Sequence, residues 1–300
     1  MPMISRRNFL KVGTAAAMAV PYLPELLAEP LGKPSGIQLY TVADALRVDV
    51  PGTIQKLRKI GYRVVESFPY HGFNAQTLRS ALDEVGLSCP SCHLPLSQAD
   101  LDPLFEEAHI LGAHYAVSSV LQPPGNAGSG GSHDLSTLTA DDFKRMAGLL
   151  NLVAAKTKSA DLQYAYHNHD FEFRTLNNGK IGYDILLSET DPSLVKFELD
   201  CGWMAVAGYS PAEYFERYPS RYRMMHVKDF VKGSKKSTSL QGPLRPVGTE
   251  LGRGMPDYRP IFAAAAKTSI QYYFVEQEPP FLEMTSLHAA EVDYAYLETL

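Results

Sequence analysis

Apolar residues along this chain recur with two different periods, and the two alternate. From about residue 35 onward, short runs rich in apolar and β-branched side chains give way to longer stretches whose apolar positions return every three or four residues. The runs at 36–40, 63–67, 87–93, 114–118, 163–167, 194–199, 222–227 and 270–276 read as strands. The stretches at 53–60, 75–85, 101–111, 140–159, 183–189, 211–217, 258–267 and 285–297 read as helices. Gly61, Gly86 and Gly112 stand just past the first three helical stretches, as helix stops. Two long polar loops, 119–138 and 229–254, break the rhythm.

Eight strand–helix pairs in a chain of 300 residues imply a parallel sheet, because each helix carries the chain back to the same edge. That number of repeats at this length favours closure over an open doubly wound sheet. The expected fold class is α/β, a (β/α)8 TIM barrel, as a single domain over residues 35–300. No GxGxxG opens a helix after the first strand, which argues against a dinucleotide-binding sheet. With 45% hydrophobic residues the chain can fill such a core without covalent staples.

Residues 1–28 fall outside this pattern. Ser5-Arg6-Arg7-Asn8-Phe9-Leu10-Lys11 precedes a weakly apolar run interrupted by Pro21 and Pro24. The order and spacing are those of a twin-arginine export signal, so a periplasmic or exported location is expected. The run is too short and too weakly apolar for stable membrane insertion. The formal net charge is -5, and loss of the leader would remove Arg6, Arg7 and Lys11 against one acid, Glu25. An acidic chain without a basic face excludes a nucleic-acid partner. Three cysteines, Cys89, Cys92 and Cys201, make no disulfide framework. The CxxC spacing of Cys89 and Cys92 lies inside a strand, where a redox motif should open a helix.

In a barrel of this kind the chemistry sits at the C-terminal ends of the strands. Those ends here carry Glu66, His93, His167-Asn168-His169-Asp170, Asp200, His226-Val227-Lys228-Asp229 and Glu276-Gln277-Glu278. So many ionisable groups on one rim are costly to desolvate unless they pair or bind a metal. Strands five to eight supply His167, Asp200, His226 and Glu276, an oxygen and imidazole set without thiolate that suits one divalent ion such as Mn, Co, Zn, Mg or Fe(II). Plainer roles stand beside this one: Asp200 as a turn cap, His226 as a core histidine, Glu276 as a partner of Lys or Arg. His169 follows His167 by two and shares its face if the strand continues. Glu276, His169 and Lys228 are the candidate catalytic groups. Glu66, His93, Glu172 and Trp203, the one tryptophan, are candidates for holding substrate.

These residues resemble the sugar phosphate isomerase/epimerase group of xylose isomerase-like TIM barrels. The resemblance rests on Gly36-Ile37-Gln38-Leu39-Tyr40-Thr41, Gly61-Tyr62-Arg63-Val64-Val65-Glu66 and Tyr166-His167-Asn168-His169-Asp170-Phe171-Glu172-Phe173, with Leu199-Asp200, His226-Val227-Lys228-Asp229 and Val275-Glu276-Gln277. It implies a single divalent ion held by Glu, Asp, His and Glu at strands five to eight, with His167 standing where those epimerases carry Glu. Their exchange of protons between two Glu residues is therefore not carried over. The resemblance implies a small-molecule sugar or polyol-like substrate and enediolate chemistry leading to isomerisation or epimerisation. The His-bearing variant resembles the branch with inosose dehydratase-like and 3-keto-glycoside-processing proteins, which makes a lyase or glycoside-cleaving enzyme the second reading. A sugar-binding protein without turnover is the third. A homo-oligomer is compatible with the resemblance, and no stripe of residues fixes one.

Overall fold

The strand-like runs lie side by side and all run parallel. The computed structural model describes residues 29–69, 73–96, 100–119, 135–239 and 245–300. The strands are β1 (Gly36–Gln38), β2 (Val64–Ser67), β3 (Ser88–His93), β4 (Tyr115–Ser119), β5 (Gln163–His167), β6 (Val195–Asp200) and β7 (Tyr222–Val227). After a short ribbon of β8 (Asp229–Phe230) and β9 (Gly248–Thr249) comes β10 (Tyr272–Val275). The barrel closes in the order β1-β10-β7-β6-β5-β4-β3-β2. This is a TIM barrel. Closure brings β1 hard against β10: a Cβ added at Gly36 would lie 2.5 Å from the Tyr273 carbonyl oxygen.

The helices are α1 (Ala43–Val48), α2 (Val50–Ile60), α3 (Ala75–Val85), α4 (Asp102–Leu111), α5 (Ala140–Ser159), α6 (Gly182–Glu189), α7 (Cys201–Val206), α8 (Pro211–Arg217), α9 (Tyr258–Ala265) and α10 (Ser286–Leu297). Their starts are written in the sequence. Asn74 accepts from Thr77 N at the head of α3, and Thr139 forms a capping box with Asp142 at the head of α5. The left-handed Gly86 ends α3. No helix among the described residues is long and apolar enough to cross a membrane. The twin-arginine signal expected over 1–28 lies outside the described residues.

Three local expectations change. The first strand stops at Gln38 and turns into a 3-10 segment, Leu39–Val42, that leads into α1. A second unexpected helix, α7, starts directly from β6. The loop expected over 229–254 contains the β8–β9 ribbon, pinned by Asp229. One carboxylate oxygen of Asp229 accepts from Phe230 N and Met255 N, the other from Gly252 N and Gly254 N. Cys89, Cys92 and Cys201 are free and buried, all three packed in the main apolar core.

Inside the barrel the side chains form layers. Val64, Tyr115, Val117, Ala165, Met224 and Phe274 make an apolar plug. Side chains two residues apart on a strand share a face. One step of two therefore places Glu66 above Val64, His167 above Ala165, His226 above Met224 and Glu276 above Phe274. The polar layer is the direct continuation of the apolar one toward the C-terminal rim.

Candidate metal centre

The sheet register sets these polar residues next to one another. Asp200 on β6 pairs with His226 on β7, and His167 on β5 pairs with Glu198 on β6. One ligand-type atom from each of His167, Asp200, His226 and Glu276 falls within 4.8 Å of the other three. His167 Nε2 is 3.9 Å from Asp200 Oδ2, and His226 Nδ1 is 3.1 Å from Glu276 Oε2. Bonds of about 2.0–2.2 Å to one tetrahedral ion put its ligand atoms about 3.3–3.6 Å apart, so the spacing fits.

Asp200 supplies the sharpest test of that fit. Its Oδ1 accepts from Trp203 N at 2.8 Å and caps α7. Its Oδ2 is buried without a hydrogen-bond partner. Burial lifts the Asp200 carboxyl to about 7 although Lys228 and His226 pull the other way. A cation at Oδ2 would relieve that penalty. The wider charge balance points the same way. Asp200, Glu276 and Glu278 gather around the permanent charges of Lys228 and Arg245, while the buried Glu66 and Glu198 form their ion pairs with histidines. Burial would pull the His226 proton off, yet Glu198 and Glu66 hold it well above the usual imidazole range. His167 goes the other way, driven well down by burial and by the neighbouring His226. A neutral imidazole is the form that ligates.

A second set of ligand-type atoms lies beneath the first: His93, His167, Glu198 and His226. Here the contacts are those of hydrogen bonds. Glu198 Oε2 accepts from His93 Nε2 at 2.9 Å and from His167 Nδ1 at 3.0 Å. Glu66 Oε2 accepts from His226 Nε2 at 2.7 Å and from the Gln38 side-chain amide at 2.9 Å. Ser91 Oγ donates to the other oxygen of Glu66 at 2.5 Å. The lower nitrogens of His167 and His226 are thus engaged by buried carboxylates while their upper nitrogens face Asp200 and Glu276. A carboxylate behind a ligating imidazole fixes its tautomer and ring direction. The upper set could hold an ion, and the lower set is placed to support it.

The remaining candidates divide by position. His93, His167, His169, Glu276 and Glu278 line a cavity of about 620 Å³, together with Gln38, Tyr40, Arg47 and Phe68. Burial lowers His169 to about 4. Burial also works against a proton on His93, but Glu66 and Glu198 outweigh it and raise the ring to about 10. The rings of His93 and His169 stand 5.0 and 5.2 Å from that of His167. Lys228 donates to Glu276 at 2.8 Å and to Glu278 at 2.5 Å. Trp203 does not line this cavity. It is 1% exposed, packed on Phe230 and Val206, with Lys228 and Arg245 over its ring. Glu172 is buried too: it accepts from Tyr166 Oη at 2.8 Å and from the His169 backbone N–H at 3.0 Å. It holds the turn that carries His169. Glu66, expected to hold substrate, is 0% exposed and occupied with His226, His93 and Gln38.

A family model for xylose isomerase-like TIM barrels matches residues 54–285. The chain belongs to that family. An inosose dehydratase from Lacticaseibacillus casei is similar to this xylose isomerase-like barrel, at 26% identity over 155 residues, 49% of this chain and 51% of that protein. The chain spans about half the length of the curated relatives it matches. Among solved structures, a sugar phosphate isomerase/epimerase from Parabacteroides distasonis ATCC 8503 superposes with a TM-score of 0.69 at 26% identity. That match covers 89% of this chain and 93% of the other. The IOLI protein with a binding zinc atom superposes with a TM-score of 0.66 at 12% identity, over 87% of this chain and 95% of that one, a likeness of fold.

Two residues of this xylose isomerase-like site carry no ionisable group at a strand end. Glu198 lies inside β6, and Gln38 ends β1 without an ionisable group. The signal for Glu198 is its position two residues before Asp200, on the same face of the strand. Gln38 aligns with Glu66 in the β1–β2 register.

Proposed function

We propose that this chain is a divalent-metal-dependent enzyme that enolises a keto-sugar or keto-polyol, and that it returns the proton to the adjacent carbon as an isomerase or to the opposite face of the same carbon as an epimerase. The observation that carries the reading is the convergence of His167, Asp200, His226 and Glu276 beside a cavity into which His93 and His169 also project. The four residues suit one divalent ion, and zinc is the metal named for the solved IOLI relative. When bound, such an ion supplies Lewis-acid polarisation of a substrate carbonyl and stabilises the enediolate.

The side chains divide the remaining work. His169 is outside the ligand set, lines the cavity and is neutral at pH 7, which suits it to accept the proton from carbon. Its backbone is held by Glu172. His93 carries a proton on the strength of Glu66 and Glu198, which suits it to protonate a substrate oxygen. Environments that push two titratable groups apart separate an acid from a base. Glu276 is the second candidate base, already engaged by His226 and Lys228. Glu276, Glu278 and Asp200 hold Lys228 charged far above neutrality, against the pull of burial. That makes it an electrostatic and positioning group rather than a proton shuttle.

A second reading is elimination of a β-substituent from the same enediolate. His167 in the place of the epimerases' Glu supports it, as do the curated relatives named inosose dehydratase. The Arg6-Arg7 motif supports export of the folded chain. The test is metal content by mass spectrometry with deuterium incorporation into keto-sugars in D2O, wild type beside Asp200→Ala. About one divalent ion per chain, lost in the variant together with exchange, is the expected result. Exchange without a released fragment or water identifies the isomerase, and release identifies the lyase. A chain that takes up no metal, or takes it up and exchanges no keto-sugar proton, refutes the reading.

A further inference from the structure

The cavity beside the metal centre shares part of its wall with a second cavity. Pro69, Leu94 and Pro95 form the shared part, and the second cavity, of about 530 Å³, lies against α3 and α4. Phe73 and Asn74, in the second cavity, also border a third that runs back to Arg47 on the rim of the first. The first two are each within the range of about 300–1,000 Å³ that holds a complete small ligand. One ring beside His167 and Glu276 would leave the second cavity adjacent to whatever that ring carries.

We propose that the second cavity is a subsite for a second sugar ring, so that the substrate is of disaccharide size. This rests on the enolising reading above for the identity of the first ring. The wall supplies what a sugar ring needs. Leu104 and Ile110 are half-buried and offer apolar surface to the C–H faces of a pyranose. Gln76 and Glu106, both exposed on the same cavity, offer an amide and a carboxylate to its hydroxyls. A purely apolar group would desolvate those polar side chains without replacing their hydrogen bonds. A phosphate or carboxylate would meet Glu106, with no lysine or arginine among the described residues of the lining to receive it. A neutral polyhydroxylated ring satisfies both conditions.

The test uses the full chain loaded with zinc and two ketose disaccharides, lactulose and maltulose, β- and α-linked, against fructose as the one-ring control. Calorimetry gives the dissociation constants. The expected result is that at least one disaccharide binds about tenfold or more tightly than fructose. Leu104→Trp, which fills the second cavity, should reduce that disaccharide to within about threefold of fructose and leave fructose binding and zinc content unchanged. Gln76→Ala with Glu106→Ala, both on the exposed side, gives the same direction if the tryptophan variant does not fold. Equal affinity for one ring and two refutes the subsite, as does a preference that survives both sets of variants. Deuterium exchange into the bound ketose is read in parallel. A two-ring preference abolished by Leu104→Trp, without exchange in wild type, keeps the subsite and removes the enolising reading.

Discussion

Replacing Glu198 tests the support beneath the metal centre without touching a ligand. Glu198 is buried on β6, and its Oε2 receives His93 and His167 at 2.9 and 3.0 Å, with His226 Nε2 at 3.3 Å. Glu198→Gln keeps the shape, removes the charge and puts an amide beside His93 and His167, which now meet a carboxylate acceptor. Two outcomes compete for the sign on stability. Breaking a buried charged pair costs about 3–5 kcal/mol when it leaves the partner charged and alone. Here Glu66 repels Glu198 and remains to hold His93 and His226, so the loss on the folded chain without metal should stay below that range. Metal affinity should fall further than stability, because His167 loses the group that fixes its ring. Removing such a partner weakens binding about 10–100-fold, or about 1.4–2.7 kcal/mol. Competition with a chromophoric chelator gives the zinc affinity, and urea unfolding of the chelator-treated chain gives the stability. A Glu198→Gln affinity within threefold of wild type would show that Glu198 does not orient His167.

Three further outcomes follow from particular residues. Asp229→Ala strips four backbone N–H groups of their acceptor and should lower unfolding stability by about 2–4 kcal/mol, while the chain still takes up metal; loss of metal with intact stability would instead assign Asp229 to the site. Burial raises the Asp293 carboxyl to about 8 in the folded chain, so the fold binds the proton more tightly than the unfolded chain does, and this residue's contribution to stability falls as pH rises from about 4 to about 8. Asp293→Asn should therefore be more stable than wild type in urea at pH 8 by a margin that shrinks toward pH 5, and a margin independent of pH contradicts the assignment. Arg6→Lys with Arg7→Lys should retain the chain in the cytoplasm when cells are fractionated, and unchanged export would refute the twin-arginine reading.

The fold is legible because its signal is repeated. Each helix that stops at Gly61, Gly86 or Gly112 is followed within a few residues by a strand, and eight such units admit one closed architecture. The elements that were not legible have local causes. α7 begins at Cys201 because Asp200 turns back to cap it, so the residue read as a strand end is also a helix start. The β8–β9 ribbon exists because Asp229 gathers four N–H groups from a loop that carries no apolar alternation of its own.

The same distinction holds at the site. A residue at a strand end announces itself by interrupting an apolar run, as His167, Asp200, His226 and Glu276 do. A residue inside the strand, such as Glu198, is disguised by the apolar neighbours that face outward. The sequence order Lys196-Phe197-Glu198-Leu199-Asp200 looks like a strand that ends once, yet its alternate positions Glu198 and Asp200 reach two depths of one cluster. Trp203 shows the converse. Its rarity suggests a sugar platform, but a residue three places past Asp200 lies on the first turn of α7, and that turn packs the indole against Phe230 with Lys228 over its face. There the ring shapes the environment of Lys228, and through Lys228 that of Glu276, instead of meeting the cavity itself. Position within the strand and the helix that follows, more than residue type, decides which of these side chains can reach a substrate.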